Sequence, residues 1–338
     1  MREIRKLGDM KSLLALACAA SLLPFAAFSA EPPNIVLVMA DDQGWGDMGY
    51  NGHPVLKTLH FDKMAEEALR FDHFYAAAPV CSPTRASVLT GRHPNRSAVF
   101  KWGHSLRPQE LTIAEVLGAA GYATGHFGKW HLGSVRKGSP VNPGAQGFQE
   151  WFSAENFYDN EAILSREGTA VQTKGESSFL AVDAAIEFIE KQSKASKPFL
   201  AVVWFGSPHG PHLAAPEDKA LYADEPVKLQ DFYGEITGMD RAFGKLRAAI
   251  ADLGIRDNTI LWYTSDNGGL KVESSGGRNK KGSVYEGGLR VPALLEWPAK
   301  IAAPRVTKVQ GNTVDIYPTL LDVVGASVEH QHPLDGIS

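Results

Sequence analysis

The sequence predicts an α/β fold built on a largely parallel central sheet flanked by helices, and two observations predict it. Continuous apolar runs at 34–40 (NIVLVMA), 199–205 (FLAVVWF) and 259–264 (TILWYT) have the pattern of strands buried on both faces. Segments of helical period lie between them, and strands alternating with helices pack as a parallel sheet covered by helices. A third observation places the site. Each run ends directly in polar residues, and open α/β sheets bind ligands beyond the carboxyl ends of their strands.

The elements follow in chain order. Arg2, Arg5, Lys6 and Lys11 precede an apolar run over 13–28 that closes in small residues, the plan of a secretory signal cleaved near Ser29 or Ala30. The run is too short to span a bilayer comfortably, and no later segment is long and apolar enough, so no transmembrane segment is expected. Export to the periplasm or the extracellular space follows, with 31–338 as a single catalytic domain. Met10 offers a second start for the same signal. Lipid attachment at Cys18 is disfavoured, because Ala15 stands where a larger aliphatic residue is wanted.

Beyond the signal, about 305 residues are enough to bury one large core. The strand over 34–40 runs into Asp41-Asp42. Residues 61–71 (FDKMAEEALRF) have helical period, and Thr112 with Glu115 forms a capping box for a short helix ending near Gly121. A short strand over 122–126 leads to Gly128-Lys129-Trp130-His131. A helix over 178–191 turns Leu180, Ala184, Ile186 and Ile189 toward a core, and the next strand delivers Ser207-Pro208-His209. From 231 to 253 apolar residues recur every three or four places, a long amphipathic helix. The strand over 259–264 delivers Ser265-Asp266-Asn267, and a last helix covers 317–324. Residues 134–158 and 270–281 read as long loops beside polar clusters. The end, 330–338, is loop-like with no closing element, which predicts a C-terminally incomplete domain.

A formal net charge of -4 leaves no basic surplus for a nucleic-acid backbone, so no nucleic-acid partner is expected. Of two cysteines, one goes with the signal, and Cys81 is left without a disulfide partner in a compartment that permits disulfides. Adjacent Asp41 and Asp42 at a strand end repel each other unless a cation lies between them. Asp266 and Asn267 add further hard oxygen ligands, which suit Ca²⁺ or Mg²⁺ better than zinc. Cys81 precedes Ser82-Pro83 at the start of a helix, with Arg85 one turn on. Helix amides and a guanidinium are expected to lower the thiol pKa and to attract an oxyanion. Lys129, Lys281, His131 and His209 stand on separate strand-end loops and complete a pocket for a tetrahedral oxyanion held against a metal. His126, His212 and Lys280 are weaker neighbours. These residues describe an exported, metal-dependent hydrolase of anionic esters, and they leave the role of the thiol open.

Cys81-Ser82-Pro83-Thr84-Arg85, continuing through Ala86-Ser87-Val88-Leu89-Thr90-Gly91, resembles the signature of the type I sulfatase family in the alkaline-phosphatase-like superfamily. So do the stretches 125–133 (GHFGKWHLG), 34–45, 207–209, 265–269 and 281–288, and the resemblance covers essentially everything after the signal. It implies an alkaline-phosphatase-like sandwich followed by a small C-terminal subdomain with a four-stranded antiparallel sheet, which is expected to be absent or truncated in this sequence. It implies that Cys81 is oxidised to Cα-formylglycine by a formylglycine-generating enzyme that reads residues 82–85. The hydrated aldehyde would attack sulfur on a cation held by Asp41, Asp42, Asp266, Asn267 and the modified Cys81. By the same resemblance, Arg85 would hold the diol, and Lys129 and Lys281 would bind sulfate oxygens. His209 would serve the leaving oxygen, and His131 would take a proton from the second hydroxyl.

The implied substrate is a sulfated carbohydrate, with aryl sulfates also turned over. Trp102, Trp151, Phe152, Phe157 and Tyr158 are candidates to stack on sugar rings. Two other readings stand beside this one. The first is a phosphodiesterase or phosphonate monoester hydrolase of the same superfamily. The second is a non-catalytic sulfated-glycan-binding protein in which Cys81 is unmodified.

Overall fold

The computed structural model describes residues 31–329 and 331–338. The signal sequence expected over 1–30 lies outside the described residues. From Pro32 to Ser338 the chain forms one unit. Its strands are β1 (Asn34–Ala40), β2 (Leu69–Phe71), β3 (Phe74–Tyr75), β4 (Ala123–Lys129), β5 (Glu150–Ala154), β6 (Ile163–Arg166), β7 (Thr169–Gln172), β8 (Phe199–Trp204), β9 (Thr259–Ser265), β10 (Leu294–Glu296), β11 (Arg305–Thr307) and β12 (Gly311–Asn312). The helices are α1 (Leu59–Glu67), α2 (Cys81–Thr90), α3 (Pro94–Ser97), α4 (Ile113–Ala119), α5 (Ser177–Lys194), α6 (Pro216–Ala220), α7 (Val227–Asp252), α8 (Glu286–Leu289) and α9 (Ile316–Val324). None of them is long and apolar enough to cross a membrane.

Ten strands form one sheet in the order β11-β2-β10-β9-β1-β8-β4-β5-β6-β7. Its centre, β9-β1-β8-β4-β5, is parallel throughout. Antiparallel pairs join β10 to β9 and β2 on one side and extend β5 through β6 and β7 on the other. The apolar runs divide by alternation between two cores. Val36, Val38, Val203 and Leu261 face Phe188 of α5 and Phe243 and Leu246 of α7. Ile35, Leu37, Val202 and Ile260 face Leu89 of α2, Leu117 of α4 and Leu320 of α9. Both faces of the central strands are dry, which is why the runs read as continuous rather than alternating. The predicted α/β class with a mostly parallel central sheet is the one found.

Several boundaries differ from the sequence reading. The helix expected over 61–71 stops at Glu67, because Leu69–Phe71 is taken into the sheet by β10 and β11. Cross-strand hydrogen bonds and burial of Leu69 there outweigh continued helical period. The long loop over 134–158 contains β5, which pairs with β4 in parallel. The hairpin β6–β7 turns on Glu167-Gly168, both with positive φ (51° and 93°), as tight two-residue hairpin turns require.

The capping box of α4 forms as expected. The Glu115 amide donates to Thr112 Oγ1 (3.2 Å), and the Thr112 amide donates to Glu115 Oε2 (2.8 Å). Thr112 Oγ1 also donates to the Gln146 carbonyl at 2.8 Å. Thr112→Ala is therefore expected to lower unfolding free energy by about 1–2 kcal/mol, read as a shift in the urea midpoint at constant slope. An unchanged midpoint would mean that water replaces the cap at no cost.

Candidate active site

The chain leaves the sheet at adjacent strand ends and is held there by main-chain bonds. The Asp41 amide donates to the Ser207 carbonyl (3.0 Å) and the Asp266 amide to the Ala40 carbonyl (3.1 Å). The Asp42 amide donates to Asp266 Oδ1 at 3.1 Å, and the Gln43 amide to Ser265 Oγ at 3.1 Å. Asp42 has φ 72°, a left-handed conformation that aspartate tolerates better than most residues. One cluster results. A carboxylate oxygen from each of Asp41, Asp42 and Asp266 and the sulfur of Cys81 all lie within 4.8 Å of one another, and all four residues are buried.

Three cations answer the three carboxylates. Arg85, on α2, donates through Nη2 (2.6 Å) and Nε (3.0 Å) to Asp266 Oδ2, and its Nη2 lies 3.7 Å from Asp41 Oδ1. The guanidinium sits over the Trp204 ring at 5.1 Å. Lys129 Nζ donates to Asp41 Oδ2 at 2.5 Å, and neither side chain has any exposure. Lys129 is the last residue of β4 rather than part of the following loop. It reaches this place because Gly128, at φ 102°, runs against β8, where a Cβ would collide with the Trp204 carbonyl. Lys281 Nζ lies 2.6 Å from Asp42 Oδ1 and 3.4 Å from Cys81 Sγ. Its pKa is raised: Asp42, Cys81 and Asp41 outweigh the desolvation that opposes the charge.

The expectation of a low thiol pKa at Cys81 is overturned. Burial pushes it well above the ordinary value, and Asp266, Asp41 and Asp42 add to the rise, with only Lys129 opposing among the named neighbours. The carboxylates outweigh the helix N-terminus because they are full charges within a few ångströms of the sulfur. Cys81 Sγ lies 3.6 Å from Asp41 Oδ1, within reach for the thiol to donate to that carboxylate.

The donor set fits a hard divalent cation. Asn267 Nδ2 is spent on Asp42 Oδ1 (2.8 Å) and the Gly268 carbonyl (3.0 Å), while Asn267 Oδ1 is buried with no partner. A buried carboxamide oxygen left without a partner, on a side chain bonded to Asp42 of the carboxylate cluster, is a ligand that calcium or magnesium takes up.

Above the cluster opens a cavity of about 320 Å³ lined by Cys81, Trp102, His131, Asn156, Phe157, His209 and Lys281. His209 Nδ1 meets the Gly210 carbonyl at 2.6 Å, which makes Nδ1 the donor, and Nε2 lies 3.8 Å from Asp42 Oδ2. Phe157 stacks on the same imidazole at 4.4 Å and 13°. His131 has a buried Nδ1 without a partner. Its pKa is pushed down to about 2, chiefly by burial and then by Lys129 and Arg85, so the ring is neutral. A larger cavity of about 520 Å³, between Trp45, Tyr233 and Lys271, contains none of the predicted site residues. Chemistry rather than volume selects the smaller one.

All the predicted site residues converge. The weaker neighbours do not join them: His126 is buried against Ser153 Oγ (2.7 Å) and ringed by Trp130, Phe148 and Trp204, and His212 faces Glu235. Of the candidate sugar-stacking aromatics, Trp151, Phe152 and Tyr158 belong to the core, whereas Trp102 and Phe157 line the cavity. Asn156 was not anticipated. As an exposed polar loop residue it carries no sequence signal.

Fold and site together define an α/β protein with a buried cluster of carboxylates that could hold a metal ion, set beneath a cavity lined by cationic and imidazole side chains. The Sulfatase family model matches residues 33–326, and the chain belongs to that family. N-acetylgalactosamine-6-sulfatase of Canis lupus familiaris is 34% identical over 356 residues, covering 92% of this chain and 66% of the relative. This chain spans about two thirds of the length of the curated relatives it matches. Among solved structures, Ps i-CgsB in complex with k-i-k-neocarrahexaose superposes with TM-score 0.84 at 28% identity, over 90% of this chain and 75% of that one. A protein in the alkaline phosphatase superfamily from Vibrio parahaemolyticus shares the fold, with TM-score 0.64 at 21% identity over 91% and 69% of the two chains.

Proposed function

We propose that the protein is exported through residues 1–30 and hydrolyses sulfate monoesters, with sulfated carbohydrates as its substrate class and small aryl sulfates also accepted. The observation that carries this reading is the balanced set of three buried carboxylates and three cationic side chains around Cys81. The reading takes Cys81 to be matured to Cα-formylglycine by a formylglycine-generating enzyme, in keeping with its place at the start of α2 among the site's carboxylates and cations. Asp41, Asp42, Asp266 and Asn267 would hold calcium or magnesium together with residue 81, and the bound cation would supply Lewis-acid charge to the reacting oxygens.

The chain's own residues divide the remaining work. Arg85, locked by two bonds to Asp266, orients the oxygen of residue 81. Lys129 and Lys281 bind sulfate oxygens and offset charge as the S–O bond breaks. His209, its Nδ1 fixed on Gly210, presents Nε2 to protonate the leaving oxygen. His131 is neutral with a free Nδ1, and it takes a proton from residue 81 to release sulfate. A sugar leaving group is favoured because the relative's name contains N-acetylgalactosamine and the solved structure holds k-i-k-neocarrahexaose.

The test combines two readouts on protein from a host with the maturation machinery. The proteolytic peptide spanning residue 81 should have the mass of the aldehyde, and 4-nitrophenyl sulfate hydrolysis should exceed that of phosphate and phosphonate esters and vanish on chelation. Intact cysteine in folded, exported protein would instead support the glycan-binding reading. Preferred phosphoester turnover would support the phosphodiesterase one.

A further inference from the structure

We propose that Trp102 is the specificity-determining platform of this site, taking the flat face of a pyranose ring in the leaving alcohol. This inference rests on the sulfatase reading and names the part of the substrate that the charged cluster does not touch. Trp102 is 66% exposed, the wrong place for a large aromatic whose only purpose is packing, yet it lines the same cavity as Cys81, His131 and His209. Single exposed apolar residues are ordinary on proteins, so exposure alone would carry nothing.

What distinguishes Trp102 is how its turn is held. The His104 amide donates to the Lys101 carbonyl (3.3 Å), and Gly103 has φ 78°, as the third residue of a type II turn requires. Trp102 is thus the second residue of a tight turn, displayed at its tip. The Gly103 amide then donates to Ser82 Oγ at 2.9 Å. Ser82 is wholly buried and follows Cys81 in the chain, so the platform is anchored to the residue next to the reacting one. Past the turn, the Leu106 amide donates to the carbonyl of Leu132, the residue after His131. The turn is therefore tied to both sides of the chemistry, and the indole is left free.

The other aromatic of the cavity is already engaged, since Phe157 lies flat on His209. Trp102 is the one indole in the cavity lining. Pockets that take neutral ring systems pair such an apolar face with a few polar groups, and Asn156 on the same cavity supplies an amide for ring hydroxyls. The ligand class is a sulfated saccharide whose ring stacks on Trp102 while its sulfate reaches Lys281 on the same cavity.

The experiment compares matured wild type, Trp102→Ala and Trp102→Phe on 4-nitrophenyl sulfate and on a panel of sulfated mono- and disaccharides, with inorganic sulfate as product inhibitor. For saccharides, Trp102→Ala should raise KM by about tenfold or more with little change in kcat, and Trp102→Phe should recover most of the loss. The inhibition constant of inorganic sulfate should stay the same in all three. A saccharide KM unaffected by Trp102→Ala, or aryl sulfate turnover with no saccharide accepted, overturns this inference and leaves the sulfatase reading standing. A wild type that cleaves no sulfate ester overturns both.

Discussion

Lys129→Met is expected to lower unfolding free energy by about 3–5 kcal/mol, although it keeps the length and apolar stem of the side chain. Lys129 and Asp41 are both fully buried and 2.5 Å apart, so the variant removes the nearer of the two cations that Asp41 faces and leaves it only Arg85 Nη2, at 3.7 Å, beside the like charges of Asp42 and Asp266. The measurement is denaturant unfolding with chelator present, so that no cation replaces the missing ammonium. Adding Asp41→Asn should recover much of the loss, because removing both partners of a buried pair costs less than removing one. Equal stability of wild type and Lys129→Met would mean that Arg85 alone suffices for Asp41, and the matching of three cations to three carboxylates would fail.

Cys81→Ala is expected to show the opposite pattern. Sulfate ester hydrolysis should fall by about 10⁴-fold or more, the scale on which removing a covalent nucleophile acts. Stability should change little, because sulfur is a weak donor and acceptor and its polar contacts are to Lys281 (3.4 Å), Asp41 (3.6 Å) and Asp42 (4.0 Å), all of which keep other partners. Thermal unfolding and turnover measured on one preparation decide it. Retained turnover would remove residue 81 from the chemistry and return attention to the cation and the histidines alone.

The parts of the fold legible in the sequence are those whose local pattern agrees with their tertiary fate. β1, β8 and β9 are dry on both faces and read as unbroken apolar runs, and α4 announces itself by Thr112 and Glu115. β2 was hidden because Leu69-Arg70-Phe71 continues the period of the helix before it, and only pairing with β10 and β11 decides its state. β6 and β7 are four-residue strands, ILSR with only its two middle residues buried and TAVQ at the sheet edge and largely exposed, too short and mixed for a period, and their signal is the two-residue turn at Glu167-Gly168. In the site, Asp41, Asp42, Lys129, Asp266 and Asn267 stood at or just past strand ends, and Cys81 with Arg85 at a helix start, so they could be gathered without coordinates. The direction of the Cys81 shift could not, because it depends on how closely three carboxylates from two strands approach one sulfur. Nor could the sequence separate Trp102 from Trp151. One is raised on a turn and the other is sunk between sheet and helices, with nothing local to tell them apart.

The depth at which these residues sit also governs how the protein can change over generations. Asp41, Asp42, Arg85, Lys129, Asp266 and Asn267 are interior residues, tied to one another and to the sheet, so a substitution at any of them risks the fold along with the chemistry. Trp102 and Asn156 stand at the surface and carry almost none of the core. Selection can therefore retune what the cavity admits by altering exposed turns, at little cost in stability, while the reaction beneath is inherited unaltered. A scaffold divided in this way invites gene duplication followed by divergence toward new sulfated substrates.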